Sequence, residues 1–247
     1  VFKVTTRDSK GNLLGNAPFM INHGVTVNRQ GIEWHDYQSV LIWVTDNASQ
    51  GGGLMTDDNF YGVSGPDGTV MLDVYQTGRG QGVRIPLQAT LDDGSTASQT
   101  LSAVFTTLTS PDTPEANFWG HMPETFTSSA GVKFRRPQLK AELSGASFIT
   151  INREDWVKPS GVNKSDSSQS GCNEEYQPLR SELQVLYNDH PNSKIETDLG
   201  LPLLSGANWW AYDQVQSGSI WDNQSISFID GKWRQDVSTT ITNLILC

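Results

Sequence analysis

Only two of the 247 residues carry a thiol, Cys172 and Cys247, and the second is the final residue. The simplest chemistry open to them is a mutual disulfide. They stand 75 positions apart, and closing a loop of that length stabilises a fold by about 4 kcal/mol on a chain-entropy account. The alternative is a free thiol on a frayed end, which would be reactive. A disulfide implies an oxidising setting: secreted, surface-exposed or periplasmic.

Other side chains with chemical potential do not assemble into a motif. The four histidines, His23, His35, His121 and His190, lack metal-ligand spacing. Asp57 and Asp58 with Asp46 do not follow the ligand spacing of a calcium loop. Glu174, Glu175 and Asp189 are carboxylates without a legible partner for acid–base work. No nucleophile elbow, phosphate-binding loop or dinucleotide fingerprint occurs. The expectation is a protein without catalysis, cofactor or metal.

The net charge of −10 repels nucleic acid, whose phosphates require clustered Lys and Arg. The basic stretch Lys133-Phe134-Arg135-Arg136 reads as a solvated strand edge rather than a nucleic-acid patch. No apolar run approaches the ~20 residues that span a bilayer, so no membrane insertion is expected of this chain.

Recognition remains as the available function, and the aromatic residues are its best carriers. Trp119, Trp156, Trp209, Trp210, Trp221 and Trp233 place six of the eight tryptophans in the last 129 residues. Some must be core, because a small domain needs large buried side chains. Trp209 and Trp210 cannot share a core layer if they are neighbours on a strand. Exposed tryptophans are preferred anchors of protein interfaces. The candidate receptor contacts are Trp210, Trp221, Asp222 and Trp233, with Asp189 and His190.

The elements that position these residues divide at Thr109-Ser110-Pro111-Asp112-Thr113-Pro114, where two close prolines stiffen the chain. Before it, short β-prone runs alternate with Gly, Pro, Asn and Asp turns. In Thr69–Tyr75, Val70, Leu72 and Val74 fall on one face. Asp8–Asn12 and Gly65-Pro66-Asp67-Gly68 read as turns. Strands every 8–15 residues argue a β-sandwich. After the prolines, Val132-Lys133-Phe134, Phe148–Ile151, Asn208–Tyr212 and Ser225–Ile229 read as strands, and Thr239–Cys247 as a closing strand. One helix is expected, with Pro178 near its start and Leu179, Leu183, Leu186 and Tyr187 forming an apolar stripe. Asn188–Asn192 ends it. Cys172 closes a Ser-rich loop just before that helix.

Two resemblances follow. Thr5–Asn12 with Asn16-Ala17-Pro18-Phe19, Gly65–Thr69 and Val104–Ser110 resemble the immunoglobulin-like repeats of bacterial surface adhesins. Trp119-Gly120-His121-Met122 with Phe134-Arg135-Arg136-Pro137, Cys172 with Pro178, Glu182-Leu183 and Leu186-Tyr187, Gly200-Leu201-Pro202 with Trp209-Trp210-Ala211, and Cys247 resemble the C-type-lectin-like domain that ends intimin- and invasin-type adhesins. The resemblance implies a mainly β chain, an immunoglobulin-like β-sandwich followed by an α+β C-type-lectin-like domain. The expected parts are a stalk module over residues 1–110, a Pro-rich linker over 111–116 and a binding head over 117–247. It also implies the Cys172–Cys247 bridge, a location on the bacterial surface or in secreted form, and binding of a host cell-surface protein or of another bacterial protein. A monomer is expected. Where calcium-dependent sugar-binding lectins carry their ligand triplets, this chain has Gln177-Pro178-Leu179 and Trp221-Asp222-Asn223, which do not supply calcium's oxygen set.

Overall fold

The computed structural model describes the chain apart from residues 35–41, 47–51, 55–58, 77–80, 92–97, 159–176, 204–207, 218–219 and 237–242. Outside the described residues lie His35, Asp36, Tyr37, Asp57, Asp58, the Ser-rich loop, Cys172, Glu174 and Glu175. The chain divides into two compact units, Val1–Thr107 and Leu108–Cys247.

The first unit contains strands β1 (Phe2–Thr5), β2 (Pro18–His23), β3 (Ile42–Asp46), β4 (Gly52–Leu54), β5 (Asn59–Val63), β6 (Thr69–Gln76), β7 (Arg84–Leu91) and β8 (Ser98–Val104). They form two four-stranded sheets, ordered β1-β6-β3-β4 and β5-β2-β7-β8. Apolar alternation explains the packing. In β2, Phe19 and Ile21 are buried while Met20 between them is half-exposed. The inner faces meet along a seam of Phe2, Val4, Leu72 and Val74 against Ile21, Leu87, Ala89 and Leu101. Both expected turns form. Asp8 accepts the N–H groups of Lys10 and Asn12 at 2.9 and 2.8 Å. Gly68 takes φ 75°, which its missing Cβ permits, and donates to the Gly65 carbonyl.

The second unit begins with β9 (Thr107–Pro111), which pairs with β10 (Gly120–Met122). β11 (Thr125–Thr127) and β12 (Lys133–Arg135) form one hairpin, and β13 (Phe148–Ile151) and β14 (Glu154–Val157) another. Among the described residues two α-helices follow, α1 (Arg180–Asp189) and α2 (Lys194–Leu199). The main sheet has the order β17-β16-β15-β18, from β15 (Asn208–Ser217), β16 (Ile220–Ile226), β17 (Trp233–Asp236) and β18 (Asn243–Leu244). Its core gathers Met122, Phe134, Trp156, Leu183, Leu186, Ile195, Trp209 and Phe228.

The helix expected from the leucine stripe is α1, with Leu183 and Leu186 fully buried. Three sequence expectations need correction. First, α2 is a second helix, too short to show a periodic stripe. It ends at Gly200, whose φ is 76° and where a Cβ would meet the Leu108 carbonyl oxygen at 2.0 Å. Second, the described part of the closing strand is only Asn243–Leu244, and it runs parallel to β15. Third, the basic stretch is not a solvated edge. Arg136 is buried and ion-paired with Glu142 at 2.6 Å and Glu124 at 2.8 Å, while Arg135 pairs with Glu124 at 2.9 Å. Burial works against the Arg136 charge, but hydrogen bonds and charges from Glu142 and Glu124 outweigh it, so its pKa is raised.

Candidate functional site

The candidate site is built on α1. Its apolar stripe turns Leu183 and Leu186 into the core. Arg180, Gln184 and Asn188 recur every fourth position and therefore share another face. Glu182 caps the helix start by accepting the Leu179 N–H at 2.7 Å. The Gln184 amide donates to Asn188 Oδ1 at 3.2 Å, which ties the polar row along the helix.

Trp233, the first residue of β17, lies against that row. Its indole N–H donates to Gln184 Oε1 at 2.7 Å. The Arg180 guanidinium carbon stands 4.7 Å from the centre of its ring. Arg180 also donates to Oε1 of the buried Gln224 at 3.1 Å. The register of β17 with β16 sets Trp233 opposite Ile226 and Gln235 opposite Gln224. Trp233 is half-buried, packed on the core edge with its polar atom satisfied. A cation held over an indole, with a glutamine fixing the ring, is a preorganised recognition surface.

Asp189 and His190 lie at the other end of α1. Asp189 accepts the Ser129 N–H at 2.8 Å and the Ser129 hydroxyl at 2.5 Å. These bonds, the hydroxyl first, hold its pKa below the usual carboxylate value. Asp189 thereby fastens the β11–β12 turn to the helix end. His190 caps the helix through its backbone N–H and contacts Asp198 Oδ2 through Nδ1 at 2.8 Å. The pair joins α1 to α2. The structure therefore does not bring Trp233, Asp189 and His190 into one cluster.

Trp210 is packed inside, with 4% of its surface exposed, so its ring is not available to a partner in this fold. Trp209 takes the opposite side of β15, 1% exposed and 5.7 Å from Phe228 by ring centres. The backbone of Trp221 and Asp222 belongs to β16, paired with Gln216 and Val215, and their side chains lie outside the described set. The Cys247 carbonyl accepts the Arg135 N–H at 2.7 Å. Cys172, the partner expected for it from the sequence, lies outside the described residues. Sequence reading missed Arg180 and Gln184, although their spacing with Asn188 is legible once the helix is placed.

A separate cavity of about 530 Å³ is lined by Glu115, Asn117, Lys140, Ser144, Glu154 and Asp155, among others. Glu154, 1% exposed, has both oxygens committed. Oε1 accepts the Ser110 hydroxyl at 2.6 Å and the Phe118 N–H at 3.0 Å, and Oε2 accepts the Asn117 N–H at 2.9 Å. Burial raises its pKa against those hydrogen bonds. Asp155 accepts the Thr150 hydroxyl at 2.6 Å. The two carboxylates are neighbours on a strand and project to opposite faces, so they do not form an acid–base pair. Among the described residues, no group of three or more His, Cys, Asp or Glu side chains converges, and no helix is long and apolar enough to cross a membrane.

Comparison with known proteins agrees with this architecture. Residues 111–247 match the family model of the InvE adhesion domain, and residues 1–108 match bacterial immunoglobulin-like domain 21. The structure of Yersinia pseudotuberculosis adhesin InvE is similar, with a TM-score of 0.74 and 25% sequence identity. The similarity covers 95% of this chain and 61% of the InvE chain. No curated protein matches.

Proposed function

The chain belongs to the InvE adhesion-domain family of intimin- and invasin-type adhesins, and on that premise we propose that it binds a host cell-surface protein through its second unit, without catalysis. The family match over residues 111–247 carries this reading. In it, residues 1–110 act as a stalk module, 111–116 as its connection and 117–247 as a C-type-lectin-like head. The protein is displayed on the bacterial surface or secreted. The Cys172–Cys247 bridge fastens the chain end to the segment entering α1.

The contact surface in this reading is the Arg180–Trp233–Gln184 array. A half-buried indole under a guanidinium offers apolar area and a directed charge at small entropic cost. The test is binding of the full chain to host cells, compared with a Trp233→Ala variant of confirmed fold. The proposal expects a ~30-fold loss of affinity, the size of a hot-spot truncation. Equal binding by the variant would remove the array from the contact surface. Failure of the wild-type chain to bind cells would remove the host-receptor reading. A soluble exoprotein that binds another bacterial protein is the second reading, favoured by the net charge of −10, which supports solubility. Capture of a bacterial surface protein with no host-cell binding would select it.

A further inference from the structure

Gln224 is a buried polar side chain on a sheet face that otherwise builds the core. It lies in β16, 4% exposed, two residues before the fully buried Ile226. Strand alternation puts the two on one face, and Ile226 shares the core with Leu183 of α1. Across the sheet, Ile226 stands opposite Trp233 and Gln224 opposite Gln235. A buried amide gives up hydration that a leucine would not, and hydrogen bonds must offset the loss. Its side-chain oxygen accepts from the exposed Arg180, whose Nη1 stands 3.1 Å from Gln224 Oε1. The same guanidinium lies over the Trp233 ring. Stacking sets its distance from the ring and leaves it free to turn in its own plane. A directed bond to a fixed acceptor stops that rotation, and β16 is such a base, flanked by β15 and β17.

We infer that Gln224 is the positioning residue of the contact surface, holding Arg180 oriented over Trp233 before any partner arrives. The inference rests on the reading that the Arg180–Trp233–Gln184 array makes the contact. Gln224 is too deeply buried to meet a partner itself and acts through Arg180. An exposed arginine without an anchor samples many rotamers, and ordering it on binding weakens affinity. Gln224 moves that ordering into folding. Lysine cannot replace the arginine here, because a point charge does not stack on the ring and bond the amide in one plane. The role has a signature that a structural role lacks: stability and binding move apart. Gln224→Leu removes a buried amide at similar volume, and the exposed Arg180 regains its lost bond from water. The fold then keeps or gains stability while the array loses its orientation.

The test compares the full chain with Gln224→Leu, Arg180→Lys and the double variant by thermal unfolding, Trp233 emission and host-cell binding. Gln224→Leu is expected to melt no lower than the unaltered chain, to shift Trp233 emission, and to bind about tenfold more weakly, the size of one hydrogen bond to a charged group. Arg180→Lys should bind as weakly, and the double variant no more weakly than either, because both changes break the same link. A lower melting temperature in Gln224→Leu, undiminished binding by it, or additive losses in the double variant would each overturn the positioning role. Emission is read on the isolated chain, so an unmoved Trp233 signal in Gln224→Leu overturns the role without reference to cells. A shifted signal, with no cell binding even by the unaltered chain, supports the anchoring of Arg180 and removes the host-receptor reading instead.

Discussion

The guanidinium carbon of Arg180 stands 4.7 Å from the centre of the Trp233 ring, and the indole N–H of that ring is held by Gln184. One helix face thus grips both the face and the edge of a single tryptophan. Arg180→Ala removes the cation, and Gln184→Leu removes the acceptor. Each is expected to red-shift or broaden Trp233 emission and to cost about 1 kcal/mol of unfolding free energy. Differential spectra against Trp233→Phe isolate the signal. Unchanged emission in both variants would show that the ring is held by something else.

Much of the fold was legible because its signals are local. The stripe Leu179, Leu183, Leu186, Tyr187 has one period, that of α1, and Gly65-Pro66-Asp67-Gly68 admits few conformations besides a turn. What escaped depends on contacts distant in sequence. Arg136 looks exposed in a basic run until Glu124 and Glu142 close on it. Trp209 and Trp210 are adjacent and look like an inside–outside pair, yet each side of β15 is covered. Six residues of α2 are too few to display a periodicity. The candidate array required knowing that β17 returns against α1, which no spacing between positions 180 and 233 reveals.

Glu154 concerns stability and pH together. Its three donors, Ser110, Asn117 and Phe118, all belong to the entry of the second unit. Glu154→Ala takes this acceptor from the buried Phe118 N–H and the half-buried Asn117 N–H, while the Ser110 hydroxyl keeps the Phe118 carbonyl oxygen at 3.0 Å, and the change is expected to cost about 3 kcal/mol, by urea unfolding. The pH dependence has a definite sign. Because burial raises the folded-state pKa above 4.5, the folded chain holds the proton longer than the unfolded one. The contribution of this group is full below the unfolded pKa and is lost as pH rises through the folded value. The stability difference between the unaltered chain and Glu154→Gln should shift against the unaltered chain across that interval and stay flat above it. An opposite slope would mean that the hydrogen bonds outweigh burial.

Two carboxylates of the second unit, Asp230 in a turn and Asp198 in α2, titrate low for local reasons. Asp230 is held down to about 2 by Lys232 first, then Ser227. Asp198 is lowered chiefly by the His190 hydrogen bond. Carboxyl-detected NMR titration should place Asp230 back toward 3.8 in Lys232→Ala, and should move Asp198 upward in His190→Ala. For both depressed groups, the associated stability is present above the unfolded pKa and is lost as pH falls through the folded one. A titration curve unmoved by its partner's removal would contradict the geometry.

The hairpin from β13 to β14 turns on Asn152 and Arg153, whose φ values are 51° and 70°. Ile151 pairs with Glu154, so the loop has two residues, both left-handed, the geometry of a type I′ turn. Asparagine suits the first position; the second favours glycine, and any residue with a Cβ, arginine included, is strained there. Only backbone atoms of Arg153 are needed for its bond from Asn117 Nδ2 at 3.0 Å, and glycine keeps them. Arg153→Gly is therefore expected to raise stability by about 1 kcal/mol, despite the extra freedom it gives the unfolded chain. Calorimetry gives the stability change, and the cell-binding assay shows whether the arginine does anything else. A lower melting temperature would show that the Arg153 side chain contributes more than its backbone strain costs.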